Sequence, residues 1–212
     1  MSSNETNLKE KIRIALTSTA KVISDDFLLN DKNSKNEKTK DLNTIEIDTL
    51  TNPADFIKLR AETDSSALKK KFSNSTIYRK NLPSSASSRS LYNIAERIRY
   101  ESLGGKMLKG IEKNFHENYT QLINRKRKDQ LKTKEDIPVE EAFELYMLKN
   151  FHQIKLNNLT TKMLSFWEND FEKSIEKHKT FLQNNLEDQN NYCSRFSQII
   201  EEMDIFQSED DD

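Results

Sequence analysis

Residues 91–122, LYNIAERIRYESLGGKMLKGIEKNFHENYTQL, decide how this chain folds. Leu91, Ile94, Ala95 and Ile98 recur at three- and four-residue steps, and the spacing returns in Leu108, Ile111, Phe115, Tyr119 and Leu122. Each set therefore falls on one face of an α-helix. Between the two stripes lie Gly104, Gly105 and Gly110, the only glycines in 212 residues. The first helix is expected to stop near Leu103 with Gly104 in the left-handed cap conformation, which makes a helical hairpin or a sharp kink. Gly104 and Gly105 would set the angle between the helices, and Gly110 would let a neighbouring backbone approach closely.

Working outward, the flanking segments repeat the pattern. A helix is predicted from about Thr6 to Ile23, with Leu8, Ile12, Ala15, Leu16, Val22 and Ile23 on one face. Asn52-Pro53-Ala54-Asp55 is a helix start, since Asn52 can cap, Pro53 suits the first turn and Asp55 meets the positive end of the dipole. That helix runs through Leu59 and Leu68 to Phe72, with a polar middle at Thr63, Ser65 and Ser66. Pro83 and the serines of residues 84–90 form a loop leading into a Ser-capped helix. Pro138 starts a further helix bearing Val139, Ala142, Phe143, Tyr146 and Met147. Asn157 and Asn158 precede one long helix through Phe166, Trp167, Phe171, Ile175 and Leu182, and a last helix carries Tyr192, Phe196, Ile199, Ile200 and Met203.

Composition agrees. The chain is 34% hydrophobic and 33% charged with mean hydropathy −0.88, so the core is thin and the surface wide. Three prolines and three glycines are too few for the turns of a sandwich, barrel or doubly wound sheet. The expected class is all-α, an irregular multi-helix bundle. Residues 1–206 form one helical domain, with a flexible insertion or one small β-hairpin at 24–51, its strands near 26–48. Residues 207–212 begin an acidic linker. No apolar run is long enough for a membrane span, no secretory signal opens the chain, and the lone Cys193 suits a reducing compartment. A cytoplasmic location follows as the expectation.

The formal net charge of −1 conceals blocks of opposite sign. Residues 69–134 hold 17 basic and 5 acidic groups, and residues 135–212 hold 7 and 18. The two segments can attract each other or a neighbouring subunit. A helical anion- or nucleic-acid-binding module over 69–134 is the alternative, disfavoured because no aromatic-interleaved basic motif accompanies the charge.

Sites of chemistry are sparse. Gly105 and Gly110 have the outer spacing of a phosphate loop, but Ile111 and Glu112 stand where Lys and Ser/Thr are needed, which excludes nucleotide binding there. His116, His152 and His178 are far apart in sequence, without metal-ligand spacing, and read as surface or boundary residues. Cys193 has only Arg195 nearby, a weak setting for a nucleophile. Arg97 and Glu101, one turn apart, are expected to pair. No catalytic, cofactor or metal residue emerges from the residues alone, and an assembly role leads.

The string Glu96–Phe115, ERIRYESLGGKMLKGIEKNF, resembles a signature of the CobT subunit of aerobic cobaltochelatase: Arg-x-Glu-x-x-Gly, a short interval, then Met-x-Gly-x-x-x-Asn and an apolar residue. The matching positions are Arg99, Glu101, Gly104, Met107, Gly110, Asn114 and Phe115, with Gly105 inside the motif. LRAETDSSAL at 59–68, the segment 134–143 and the helix around Trp167 resemble further family segments in the family's order, and Glu209-Asp210-Asp211-Asp212 falls where an acidic linker begins. Ser73 and Asn74 replace a His-Asp pair that relatives often carry.

The resemblance implies a subunit of the ATP-dependent complex that inserts Co²⁺ into hydrogenobyrinic acid a,c-diamide during cobalamin synthesis. It implies an AAA+ ATPase subunit and a large tetrapyrrole-binding subunit as partners, with homo-oligomerisation also open. The complex would use ATP, Mg²⁺ and Co²⁺, none of them held as a cofactor by this chain. The family's C-terminal von Willebrand-type domain, with its metal-ion-dependent adhesion site, is not among these residues. An excised domain, a split-gene product and an inactive relic therefore all stay open.

Overall fold

The computed structural model describes residues 3–26, 52–125 and 133–203, and all regular structure among them is helical. Of the insertion or hairpin expected at 24–51, residues 27–51 lie outside the described residues, as do the basic residues 126–128 and the acidic end 207–212. The helices are α1 Ser3–Ser24, α2 Pro53–Phe72, α3 Ser75–Lys80, α4 Ala86–Met107, α5 Lys109–Arg125, α6 Val139–Phe151, α7 Asn158–Ser165, α8 Glu168–Ile175, α9 Lys179–Asn184 and α10 Gln189–Glu202. None is long and apolar enough to cross a membrane.

The predicted start of α2 forms as a capping box. Asn52 Oδ1 accepts from the Ala54 and Asp55 amides at 2.9 and 3.1 Å, and the Asn52 amide donates to Asp55 Oδ2 at 3.2 Å. Ser85 caps α4 by accepting from the Ser88 amide at 3.0 Å, while Arg89 donates to the carbonyls of Pro83 and Ser84, both at 2.9 Å. Proline 83 and the serines thus fix the entry into α4.

Helix α4 is the axis of the bundle. It packs against α2, α5, α6 and α10, and α1 lies on the far side of α2. Four neighbours bury more than one stripe, so Tyr92, Glu96, Arg99 and Leu103 are inside along with Leu91, Ala95 and Ile98. A second focus joins α6, α8 and α10, where Phe143 meets Phe171 edge-on at 5.4 Å and Phe196 at 6.4 Å, the offset geometry aromatic quadrupoles favour.

Two expectations about helix ends are corrected. Helix α4 does not stop at Leu103 but runs through both glycines to Met107, and no glycine has a positive φ. Leu108 alone, extended at φ −141 and ψ 113, makes the turn, its amide donating to Gly104 O at 2.9 Å. The glycines are there for room rather than for a left-handed cap. A methyl on Gly104 would enter Leu68 of α2, and one on Gly105 would stand 3.4 Å from Glu112 Cβ of α5. Gly110, by contrast, has nothing among the described residues within 4 Å of its missing Cβ, so no described backbone approaches it.

The single long helix expected over 158–182 is broken into α7, α8, a 3-10 turn at Glu176–His178 and α9. Trp167 leaves the helical path to donate its indole N–H to Ile137 O at 3.2 Å, with the Lys134 ammonium 4.0 Å from its ring centroid. Beyond Ile175 the apolar frame also lapses for five residues until Phe181, so a straight helix would lose its buried face.

The charge blocks do reach each other. Arg97 pairs with Glu144 and Lys134 with Asp170, both at 2.6 Å.

Candidate functional site

The polar chemistry collects on α4. Successive residues there point about 100° apart, so Glu96, Arg97, Arg99 and Glu101 meet different neighbours.

Arg99 is only 1% exposed. Its Nε and Nη2 donate to Glu96 Oε2 and Oε1 at 2.7 and 2.9 Å, Nη1 donates to Leu186 O at 2.8 Å, and Nη2 also donates to Phe72 O at 2.6 Å. Glu96 accepts further bonds from Ser73 Oγ at 2.5 Å, Gln189 Nε2 at 2.9 Å and Cys193 Sγ at 3.2 Å. One buried ion pair therefore ties the end of α2 and the start of α10 to α4. Burial and the Glu96 carboxylate push the Cys193 thiol up to about 12, so it remains protonated and inert.

On the other side of α4, buried Glu101 accepts from Ser65 Oγ of α2 and Tyr119 Oη of α5, each at 2.6 Å. Burial raises its carboxyl, opposed by the Arg97 guanidinium and by these two hydroxyls. The expected Arg97–Glu101 pair gives way to Arg97–Glu144. One turn away, Asn114 Nδ2 of α5 donates to Asp64 Oδ2 of α2 at 2.7 Å, in a setting where burial raises the Asp64 carboxyl. The polar middle of α2 thus takes part in its packing through Asp64 and Ser65, while Ser66 stays exposed.

His152 completes this second cluster at the boundary of the core. It ends α6 with its side chain only 9% exposed, the ring 6.3 Å from Phe115 and 5.9 Å from Tyr119. Among the described residues its buried Nε2 has no hydrogen-bond partner, and Glu101 Oε2 at 3.7 Å is too far to serve. Burial, with His116 and Arg97 nearby, holds the imidazole down to about 4, so it is neutral near pH 7.

Above this cluster opens a cleft of about 590 Å³. Glu101, Phe115 and His152 form its inner wall; Gly105, Lys106, Lys109, Glu112 and His116 line one flank, and Gln153, Gln183 and Asn184 the other. Of the sequence-predicted positions, Glu101, Gly105 and Phe115 meet here. Arg99 lies on another side of α4, Gly104 is buried against Leu68, and Asn114 is turned to Asp64. Met107, 39% exposed, and Gly110 stay on the surface. Sequence reasoning missed Ser65, Asp64, Glu96, Tyr119 and His152. Glu96 alone had a local signal, three residues before Arg99.

Among the described residues no group of three or more His, Cys, Asp or Glu side chains stands close enough to hold a metal ion. Residues 6–212 match the profile of the family described as Cobalamin biosynthesis protein CobT. Neither the curated proteins nor the solved structures gave a match. With the matched region spanning nearly the whole sequence, this chain belongs to the CobT family of cobalamin biosynthesis proteins.

Proposed function

We propose that the chain is a non-catalytic assembly unit of the ATP-dependent cobaltochelatase, acting by docking onto its AAA+ ATPase subunit. The observation that carries this is the family match over residues 6–212. The structure is consistent with it in two ways. Glu96, Arg99, Asp64 and Glu101 are engaged in bonds that hold helices together. The α4–α5 turn presents Met107 and Leu108 outward, 39% and 47% exposed, beside open Gly110.

The test is co-purification with the AAA+ subunit in ATP, first with this chain and then with a von Willebrand-type domain joined after the acidic end. A complex at micromolar concentration supports docking, and none in either form overturns it. Nucleic-acid binding is the weaker reading, because Lys70, Lys71, Arg97, Arg99 and Lys134 already face Asp26, Asp25, Glu144, Glu96 and Asp170. Oligonucleotide binding with a steep salt slope would reverse that ranking.

A further inference from the structure

We infer that the outward face of α1 is an interface between two copies of this chain, with the two α1 helices antiparallel and crossing at Ala15. Helix α1 has two apolar sides. Leu16, Ala20 and Ile23 are buried where it packs against α2. Leu8, Ala15 and Val22 are exposed, the two larger ones at 59% and 61%. Steps of seven residues shift the direction of a side chain by only about 20°, so these three form one continuous strip, about 100° round the helix from the face that meets α2. A single exposed Leu is ordinary, but apolar side chains at heptad spacing along a 22-residue helix make the pattern of a helix–helix seam.

The charges around the strip select its occupant. Of the charged residues between Leu8 and Val22, only Lys11 lies on it; Lys9, Glu10, Arg13 and Lys21 point about 120° or more away, and Glu10 and Arg13 bond to each other. A strongly acidic or basic partner therefore finds no row of charges to match.

A second copy fits by symmetry. The strip reads large, small, large about Ala15, so turning one helix end for end sets Leu8 against Val22 and Ala15 against Ala15, where small side chains let the axes come close. Lys11 then falls opposite Thr19 of the partner subunit, whereas a parallel pair would set Lys11 against Lys11. The Thr19 hydroxyl already donates to Ala15 O at 3.0 Å, which leaves its methyl for the contact. From Leu8 to Val22 the strip is about 21 Å long. One helix face of that length falls short of the ~800 Å² per partner of a standard interface, so the expected dissociation constant is on the order of 100 μM.

The test uses the full chain. Sedimentation velocity from about 10 to about 500 μM is expected to show a monomer–dimer equilibrium. Leu8→Glu/Val22→Glu, which alters only exposed side chains, should weaken it about tenfold or more and leave the melting temperature of the dilute protein unchanged. Under mild oxidation Ala15→Cys should form an intersubunit disulfide with itself, whereas Leu8→Cys should do so only when mixed with Val22→Cys; buried Cys193 stays out of the reaction. A chain that stays monomeric throughout, no disulfide in Ala15→Cys, association unchanged in the double glutamate variant, or Leu8→Cys linking to itself as fast as Ala15→Cys each overturns the inference. So does a lower melting temperature of the dilute double variant, which would mean that the face is covered within a single copy.

Discussion

A methyl group added to Gly104 would stand 2.3 Å from Leu68 Cδ1, the side chain through which α2 crosses α4. Leu68 is fully buried and has no free direction to yield. Gly104→Ala gains up to about 1 kcal/mol of helix propensity but forces overpacking that costs roughly 1–3 kcal/mol. The net expectation in urea denaturation is a loss of about 1 kcal/mol. Gly110→Ala, with open space at its missing Cβ, should be neutral or slightly stabilising. Equal effects of the two substitutions would refute the crossing role of Gly104.

Arg99 and Glu96 make the second prediction. Removing one partner of a buried pair leaves the other charge uncompensated, so Arg99→Met should destabilise by about 3–5 kcal/mol. The carbonyls of Phe72 and Leu186 would lose donors as well. Adding Glu96→Gln to Arg99→Met should restore part of the loss, because the stranded carboxylate disappears. Strict additivity of the two substitutions in equilibrium unfolding would show that the pair is not coupled.

The Asp64–Asn114 bond predicts an asymmetry. Asn114→Ala strands a buried carboxyl and should cost about 1–3 kcal/mol, whereas Asp64→Asn keeps an acceptor and should cost less. Burial raises the Asp64 carboxyl, so the folded state keeps a proton that the unfolded chain releases, and the site contributes more stability as pH falls. Asp64→Asn should remove that gain in a series of melts between neutral and acid pH. Costs of the opposite order would overturn the assignment.

The helices were legible wherever one apolar stripe met a single neighbour, or where a capping Asn52 or a helix-starting Pro138 stood at the beginning. The polar interior was not, because its pairs join residues remote in sequence. Ser65 and Glu101 are 36 positions apart, and Asn114 and Asp64 are 50 apart. Linear spacing could show Glu96 three residues before Arg99, but a one-stripe reading of α4 leaves both facing water. His152 carried no periodic signal, since it follows the last turn of α6 and is enclosed by Phe115 and Tyr119 of α5.

That enclosure gives a pH dependence with a definite sign. Folding lowers the His152 imidazole from 6.5 to about 4, so between those values the unfolded chain binds a proton that the folded chain refuses. Its contribution to stability is complete above pH 6.5 and is lost as pH falls towards 4, a total of roughly 3 kcal/mol. Glu101 and Asp64, whose carboxyls burial raises, act in the opposite direction and mask this slope in the parent protein. The informative quantity is therefore a difference. His152→Gln cannot titrate and loses ring contacts with Phe115 and Tyr119, so it should be the less stable protein at pH 7. Its disadvantage should shrink as pH falls to 4, because only the parent forfeits the histidine's contribution. A stability gap that stays constant across that range would mean the imidazole protonates freely in the folded protein.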